Sequence, residues 1–436
     1  MAILSNPKFR FRAALAIFSC ISLTGTYLYN KSQNISLGGK LLNIASVKQI
    51  NLLNANQQEA SKDRTAQKLL TSLPKKNNQR FAHHSTAAKP YPVVDELLRY
   101  KFSLNGNKIF QTAKLPGSKV SFNQSDLLEV LINTRTYFQN HAQEDPNISR
   151  QGILESQGVT VADTLRTLDF MIQVLREDIA NKTVTRLQNP NFVNQHFRVI
   201  KWSAHNPKKP RQKNLRITKY AVFTHPGSRK RTAKFNIPVY SLKNSESTGK
   251  YYTKYTKQDV LSGIYEPGGK EFGKVDTLLY LTRKGFEEAL MQGTILINFP
   301  DKTQAFFNVD KSNDMPYIRG LAAKSQKRYW YFKQVEAIKG YGYKIDAKIL
   351  VKPGVTFAGD VLNVGLGKVI VMEYTRSGKK QLRLGVMADT GGAFLPNLYQ
   401  LDFLAGIFKS QADFKQNIRQ LPMYAQGTYI LVKKKT

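Results

Sequence analysis

The chain has 436 residues, 41% of them hydrophobic, with 21 Tyr and 24 Phe against 2 Trp. That is enough apolar material for a sizeable core in about two or three units, and the Tyr/Phe balance leans toward β-rich packing. Lys and Arg number 66 against 30 Asp and Glu, a formal charge of +36, whose field attracts polyanions. Nucleic acid, anionic lipid and carboxylate-bearing wall peptides satisfy that field equally, as does a plain solvated basic face. The single cysteine, Cys20, excludes a disulfide within the chain and a cysteine-built metal site. The six histidines show no paired ligand spacing, so no metal and no cofactor are expected.

Residues 1–25 read as an address. Lys8, Arg10 and Arg12 precede an apolar run from Ala13 to Leu23 that is short for a membrane span. Ile17-Phe18-Ser19-Cys20 is similar to a lipoprotein cleavage box, which makes Cys20 the candidate for lipidation; an uncleaved signal anchor is the alternative. Both place the remainder outside the cytoplasm. Residues 26–94 are rich in Asn, Gln, Ser, Lys and Ala and read as a flexible polar tether.

Two amphipathic helices follow. One is capped near Ser125 and Asp126, with Leu128, Leu131 and Phe138 on a face. The other starts near Asp163, with Leu165, Leu168, Ile172 and Leu175 at three-to-four spacing. Between Ile179 and Ser245 stand fifteen Lys or Arg residues and no acid. Lys208, Lys209, Arg211 and Lys213 cluster beside Pro207 and Pro210, and Arg229, Lys230 and Arg231 follow Pro226-Gly227, so both groups read as loops. They are either polyanion contacts or solvated turns. Beyond them the chain reads as short strands, among them Thr294 to Phe299, Lys368 to Tyr374, Leu382 to Ala388 and Thr428 to Val432. Turns such as Gly365-Leu366-Gly367 and Ser377-Gly378 separate several of them. This pattern points to a barrel or sandwich.

Several short motifs then appear in one order. The segment from Gly385 to Phe394 carries Asp389-Thr390-Gly391-Gly392-Ala393, and Leu401-Asp402-Phe403-Leu404-Ala405-Gly406 follows it. Upstream lie Leu290-Met291-Gln292-Gly293-Thr294-Ile295, Asn313-Asp314-Met315-Pro316-Tyr317 and Thr356-Phe357-Ala358-Gly359-Asp360. Together they resemble the MltA-type lytic transglycosylases, whose Asp-x-Gly-Gly-Ala element is shared with the "3D" domain proteins. The resemblance runs from about Asp163 to the C-terminus. Where that family has Thr-Gly-Tyr-Tyr, this chain reads Thr218-Lys219-Tyr220-Ala221.

The resemblance implies a mainly β fold with helices: a double-psi β-barrel domain, 95–216 with 321–436, and a smaller inserted β domain, 217–320. It implies cleavage of the bond between N-acetylmuramic acid and N-acetylglucosamine to a 1,6-anhydro sugar, without water. One carboxyl serves both proton transfers, so the second carboxylate of ordinary glycosidases is not required. Asp402 is the candidate acid/base, with Leu401, Phe403 and Leu404 as apolar neighbours, and Asp389 is its ionised partner at a glycine turn. Gln292, Gly293, Thr218, Tyr220, Asn313 and Tyr317 are the candidate sugar contacts. The expected partners are peptidoglycan glycan strands, and the membrane through the N-terminus. A periplasmic monomer that binds no nucleic acid is expected. A catalytically silent wall-binding protein of the same fold is the alternative; a basic nucleic-acid-binding protein is a third.

Overall fold

The computed structural model describes residues 90–95, 101–243, 249–318, 320–391, 394 and 396–433. Cys20, the apolar run at the N-terminus and nearly all of the tether lie outside them. The described protein is mainly β, with its two long helices near its start.

The short strands β1 (Tyr91–Pro92), β2 (Ser103–Leu104), β3 (Phe110–Ala113) and β4 (Val120–Ser121) lead to helix α1 (Gln124–His141). Its cap is Asn123, not Ser125 or Asp126: the Asn123 side chain accepts from Asp126 N at 3.0 Å. The chain therefore turns helical one residue before Ser125, which spends Ser125 and Asp126 in the first turn. Leu127, Val130, Leu131 and Phe138 bury one stripe of α1, with Leu128 at its edge. Helix α2 (Val161–Ala180) opens with a capping box between Thr160 and Asp163. Its buried stripe includes Leu168, Met171, Ile172 and Leu175, each such side chain contributing about 1.5–3 kcal/mol by leaving water. Both helices pack in the main core, and Thr167 Oγ1 accepts from Val432 N at 3.0 Å.

After the short helix α3 (Pro190–His196) come β5 (Phe197–Trp202) and β6 (Leu215–Pro226). A central segment holds β7 (Ile237–Leu242), α4 (Lys257–Leu261), β8 (Val275–Leu281), α5 (Arg283–Ala289), β9 (Thr294–Asn298), β10 (Gln304–Ser312) and β11 (Trp330–Val335). The C-terminal part is β12 (Thr356–Ala358), β13 (Val369–Arg376), β14 (Lys379–Asp389), β15 (Gln400–Phe408), α6 (Gln411–Ile418) and β16 (Tyr424–Val432).

The pairings β6–β15–β12–β14–β13–β16 return to β6, so six strands form a closed ring. Two of its contacts, β6–β15 and β12–β14, are parallel. Ser377 and Gly378, both with positive φ, make the two-residue turn between β13 and β14, as a tight hairpin requires. Gly385 is needed for close approach, because a Cβ there would meet Val355 O at 2.8 Å and the Phe357 ring at 2.9 Å.

Strand β6 carries the sheet out of the ring. It pairs with β15 as far as Phe223, and from Phe223 to Pro226 it pairs with β9, which continues to β10 and β11. Two hydrophobic cores result. One lies with the ring and the N-terminal helices. The other gathers Val239, Leu279, Phe286, Ile295, Tyr329 and Tyr331 with their neighbours.

Candidate active site

Asp402 and Asp389 are brought together by a strand only three residues long. Ala358 of β12 is the register partner of Asp402 on one side and of Asp389 on the other. A shift in register between Phe357 and Ala358 sets Asp389 in that place. Across β15 the partner of Asp402 is Thr218, and that of Leu404 is Tyr220. The methyl of Ala358 is thus the small spacer between two carboxyl-bearing strands.

Tyr220 Oη donates to Asp389 Oδ2 at 2.8 Å, and Thr390 N donates to Asp389 Oδ1 at 2.8 Å. Gln400 Nε2 donates to Thr218 Oγ1 at 2.9 Å, which orients that hydroxyl toward Leu401 O at 3.2 Å. Thr218 and Tyr220 are half-buried, whereas Asp402 and Asp389 are 7% and 4% exposed. Asp402 Oδ1 is buried without a hydrogen-bond partner among the described residues.

That environment sets the chemistry. Burial pushes the Asp402 carboxyl up to about 7; the Thr218 hydroxyl and the Lys219 ammonium pull it back, and the charge of Asp389 raises it further. Burial likewise raises Asp389, to about 6, against the Tyr220 and Thr390 hydrogen bonds and the charge of Lys348. The glycine turn alone predicts an acid that stays ionised; burial outweighs its hydrogen bonds, and Asp389 ionises only above about 6. The apolar surroundings of Asp402 also differ from the expectation. Successive strand residues face opposite ways, so Leu401 and Phe403 turn from it, and Phe403 packs against the Phe357 ring at 5.4 Å. Leu404, fully buried, stays on its face.

The remaining candidate residues are spread more widely. Gln292 spends both ends of its amide on the protein: Oε1 accepts from Phe223 N at 3.0 Å, and Nε2 donates to Glu288 O at 3.2 Å and meets His225 Nε2 at 3.1 Å. The Gly293 carbonyl accepts from Asn308 Nδ2 at 2.9 Å. Asn308 Oδ1 in turn accepts from Lys348 Nζ at 2.8 Å, which links this strand end to the lysine near Asp389. Asn313 is buried in the second core's surroundings, donating to Tyr255 O at 2.8 Å and accepting from Tyr329 N at 2.9 Å. Tyr317 is 41% exposed, with the Arg328 guanidinium 5.2 Å from its ring centroid. Thr218 and Tyr220 therefore join the two aspartates directly, Gln292 and Gly293 brace the strands nearby, and Asn313 and Tyr317 belong to another neighbourhood.

Sequence reasoning missed four groups. Gln400 shares the face of Asp402 two residues earlier, a spacing that could have marked it. Lys219, with its pKa lowered by burial to about 8, sits between Thr218 and Tyr220. Thr390 both caps Asp389 and donates to Gly359 O at 2.9 Å. Asp360 is fully buried and accepts from Asn363 N at 3.0 Å and Asn397 N at 2.8 Å, so it ties the loop after β12 to the turn entering β15. A separate cavity of about 270 Å³ lies at Gly158, Arg198 and Leu431. Its carboxylate, Asp163, is spent on the α2 cap and on Arg166.

No protein-family model matches the chain, and no curated protein does. Among solved structures it is similar to E. coli MltA with bound chitohexaose, at 15% identity, over 75% of this chain and 95% of that one, with a TM-score of 0.48. It is similar to the membrane-bound lytic murein transglycosylase from Agrobacterium tumefaciens, at 14% identity over 74% and 97%, TM-score 0.49. MltA from Neisseria gonorrhoeae gives 14% identity over 74% and 96%, TM-score 0.46. The site rests on its own geometry.

Proposed function

We propose that the protein is a peptidoglycan lytic transglycosylase in which Asp402 is the single acid/base. The observation that carries this reading is a buried carboxyl, held protonated near neutrality, with one oxygen left without a partner. Such a group is built to give a proton to something that arrives. The motifs around Asp389 and Asp402 supply the substrate class.

In this mechanism Asp402 protonates the oxygen leaving C1 of the muramoyl sugar as the C1–O bond breaks. Positive charge grows on the ring, and the Asp389 carboxylate, steadied by Tyr220 and Thr390, stabilises it. The Asp402 carboxylate then takes the proton of the C6 hydroxyl while O6 closes on C1. The proton balance returns to its start, and the product is a 1,6-anhydro sugar. Thr218 and Tyr220, half exposed beside the aspartates, are the side chains a sugar meets first. On this reading the six-stranded ring is a double-psi β-barrel, and residues 217–320 are an inserted β domain. The protein acts as a monomer on glycan strands in the periplasm, held to the membrane through Cys20 or an uncleaved signal anchor. Asp402 and Asp389 serve as catalytic residues, Gln292 and Gly293 as braces of the strands beside the glycan, and Tyr317 as a more distant exposed contact, while Asn313, buried with its amide spent on Tyr255 and Tyr329, supports its own neighbourhood instead of meeting sugar.

A second reading has one specific observation behind it: Lys219 stands where the family motif has glycine. A wall-binding protein without turnover would tolerate that change. Digestion of purified sacculi decides between them. The enzyme releases anhydro-muropeptides detectable by mass spectrometry, and the Asp402→Asn protein releases none while still sedimenting with the wall. Release by Asp402→Asn at the unaltered rate removes Asp402 from the mechanism.

A further inference from the structure

The candidate site continues past Thr218. Two residues back along β6, roughly 7 Å at the rise of a strand, stands Arg216. Its register partners are Gln400 on one side and Tyr424 on the other. Register partners, and residues two apart, share a face, so these three form the row next to Thr218 and Asp402. The hydrogen bond from Gln400 to Thr218 joins the rows. Gln400 is buried, Arg216 is exposed, and Tyr424 is 44% exposed.

The loop between β5 and β6 feeds into this row. It carries Lys208, Lys209, Arg211 and Lys213, all exposed. It is pinned to the segment that enters β15, through His205 N to Leu398 O at 3.0 Å and Gln212 Nε2 to Tyr399 O at 3.2 Å. No acid interrupts the chain from Ile179 to Ser245. Five cations therefore sit at one end of a face whose other end is Asp402.

We propose that Arg216, Tyr424 and this loop form an anion-binding subsite that takes the carboxylates of an acidic peptide carried on the glycan. The proposal rests on the glycan reading of the site and adds what the glycan must carry. A guanidinium fork grips a carboxylate with two parallel hydrogen bonds, and the exposed tyrosine ring offers an apolar platform for the sugar or peptide beside it. A groove for single-stranded nucleic acid would interleave its cations with successive stacking aromatics; the stretch Lys208–Lys213 has none, and Tyr424 is the single ring in the row with Arg216 and Gln400.

The test uses the full chain carrying Asp402→Asn, so that binding is read without turnover. Two glycan pools are compared: strands with their peptide stems, and the same strands after an amidase has removed them. The expected result is about ten-fold tighter binding of the stemmed pool, the value of one charge-assisted contact. Arg216→Gln, and separately alanine at the four loop cations, brings that ratio toward one while circular dichroism stays unchanged. Equal affinity for the two pools, or a ratio that survives both variants, overturns the proposal. So does tighter binding of a single-stranded oligonucleotide than of the stemmed glycan, with a steep salt slope, which would assign the face to nucleic acid. Failure of the glycan reading looks different: no measurable binding of either pool.

Discussion

Asp402 and Asp389 differ by one circumstance: Asp389 is given hydrogen-bond donors, and Asp402 keeps an oxygen without one. Their pKa values are accordingly about 6 and about 7. The proposed reaction needs Asp389 ionised and Asp402 protonated. Turnover should therefore follow a bell in pH, failing below about 6 and above about 7, which a pH profile of kcat/KM checks. Tyr220→Phe removes a donor to the ionised form of Asp389. Its pKa should then rise, moving the acid limb of the bell upward by about one pH unit and lowering the maximum. An unmoved acid limb would detach Tyr220 from the site. Stability gives the independent sign. The folded value of Asp402 lies above its ordinary 3.8, so the folded state holds the extra proton between 3.8 and about 7. Stability is then lost as pH rises through that window. Asp402→Asn, which never ionises, should be the more stable protein at pH 8, by on the order of a few kcal/mol in denaturant titrations.

At the scale of elements, β12 is the least conspicuous strand and the one on which the site turns. Three residues long, it places Ala358 between the two carboxyl-bearing strands. Ala358→Leu should fill the space that the reacting sugar needs, reducing turnover at least ten-fold. Overpacking should also destabilise the fold by about 1–3 kcal/mol, read from urea unfolding. A fully active Ala358→Leu would show that substrate does not approach there. The length of β12 explains why it was not legible: no periodicity can be read over three residues. Strand β15 was hidden for another reason. Its first five residues are all buried, so the alternation of Gln400, Leu401, Asp402 and Phe403, which would mark one face as solvent-exposed, misassigns that face. The helices were legible because each buries one stripe and shows the other to water, and β13, β14 and β16 because their β-branched runs end at turn residues. The two aspartates could be found through their motifs. Gln400 was within reach of the same reasoning, two residues before Asp402, whereas Lys219 was not, since it meets Asp402 only through the pairing of strands far apart in sequence.

For the whole molecule, β6 is the shared member. Its first half closes the ring and carries Thr218 and Tyr220, and its last residues open the sheet of the second core. The same strand carries Arg216 as its second residue, within the acid-free run that contributes fifteen of the 66 basic residues. Charge and chemistry are thus laid along one element. Among the described residues no helix is long and apolar enough to cross a membrane, so attachment through the N-terminus remains part of the proposal. The most direct measurement of the central claim is mass spectrometry of sacculi digested at pH 6.5 with the wild-type chain and with Asp402→Asn. The account predicts 1,6-anhydro-muropeptides from the first and none from the second. Reducing-end products without anhydro sugars, or anhydro products undiminished in Asp402→Asn, would contradict it.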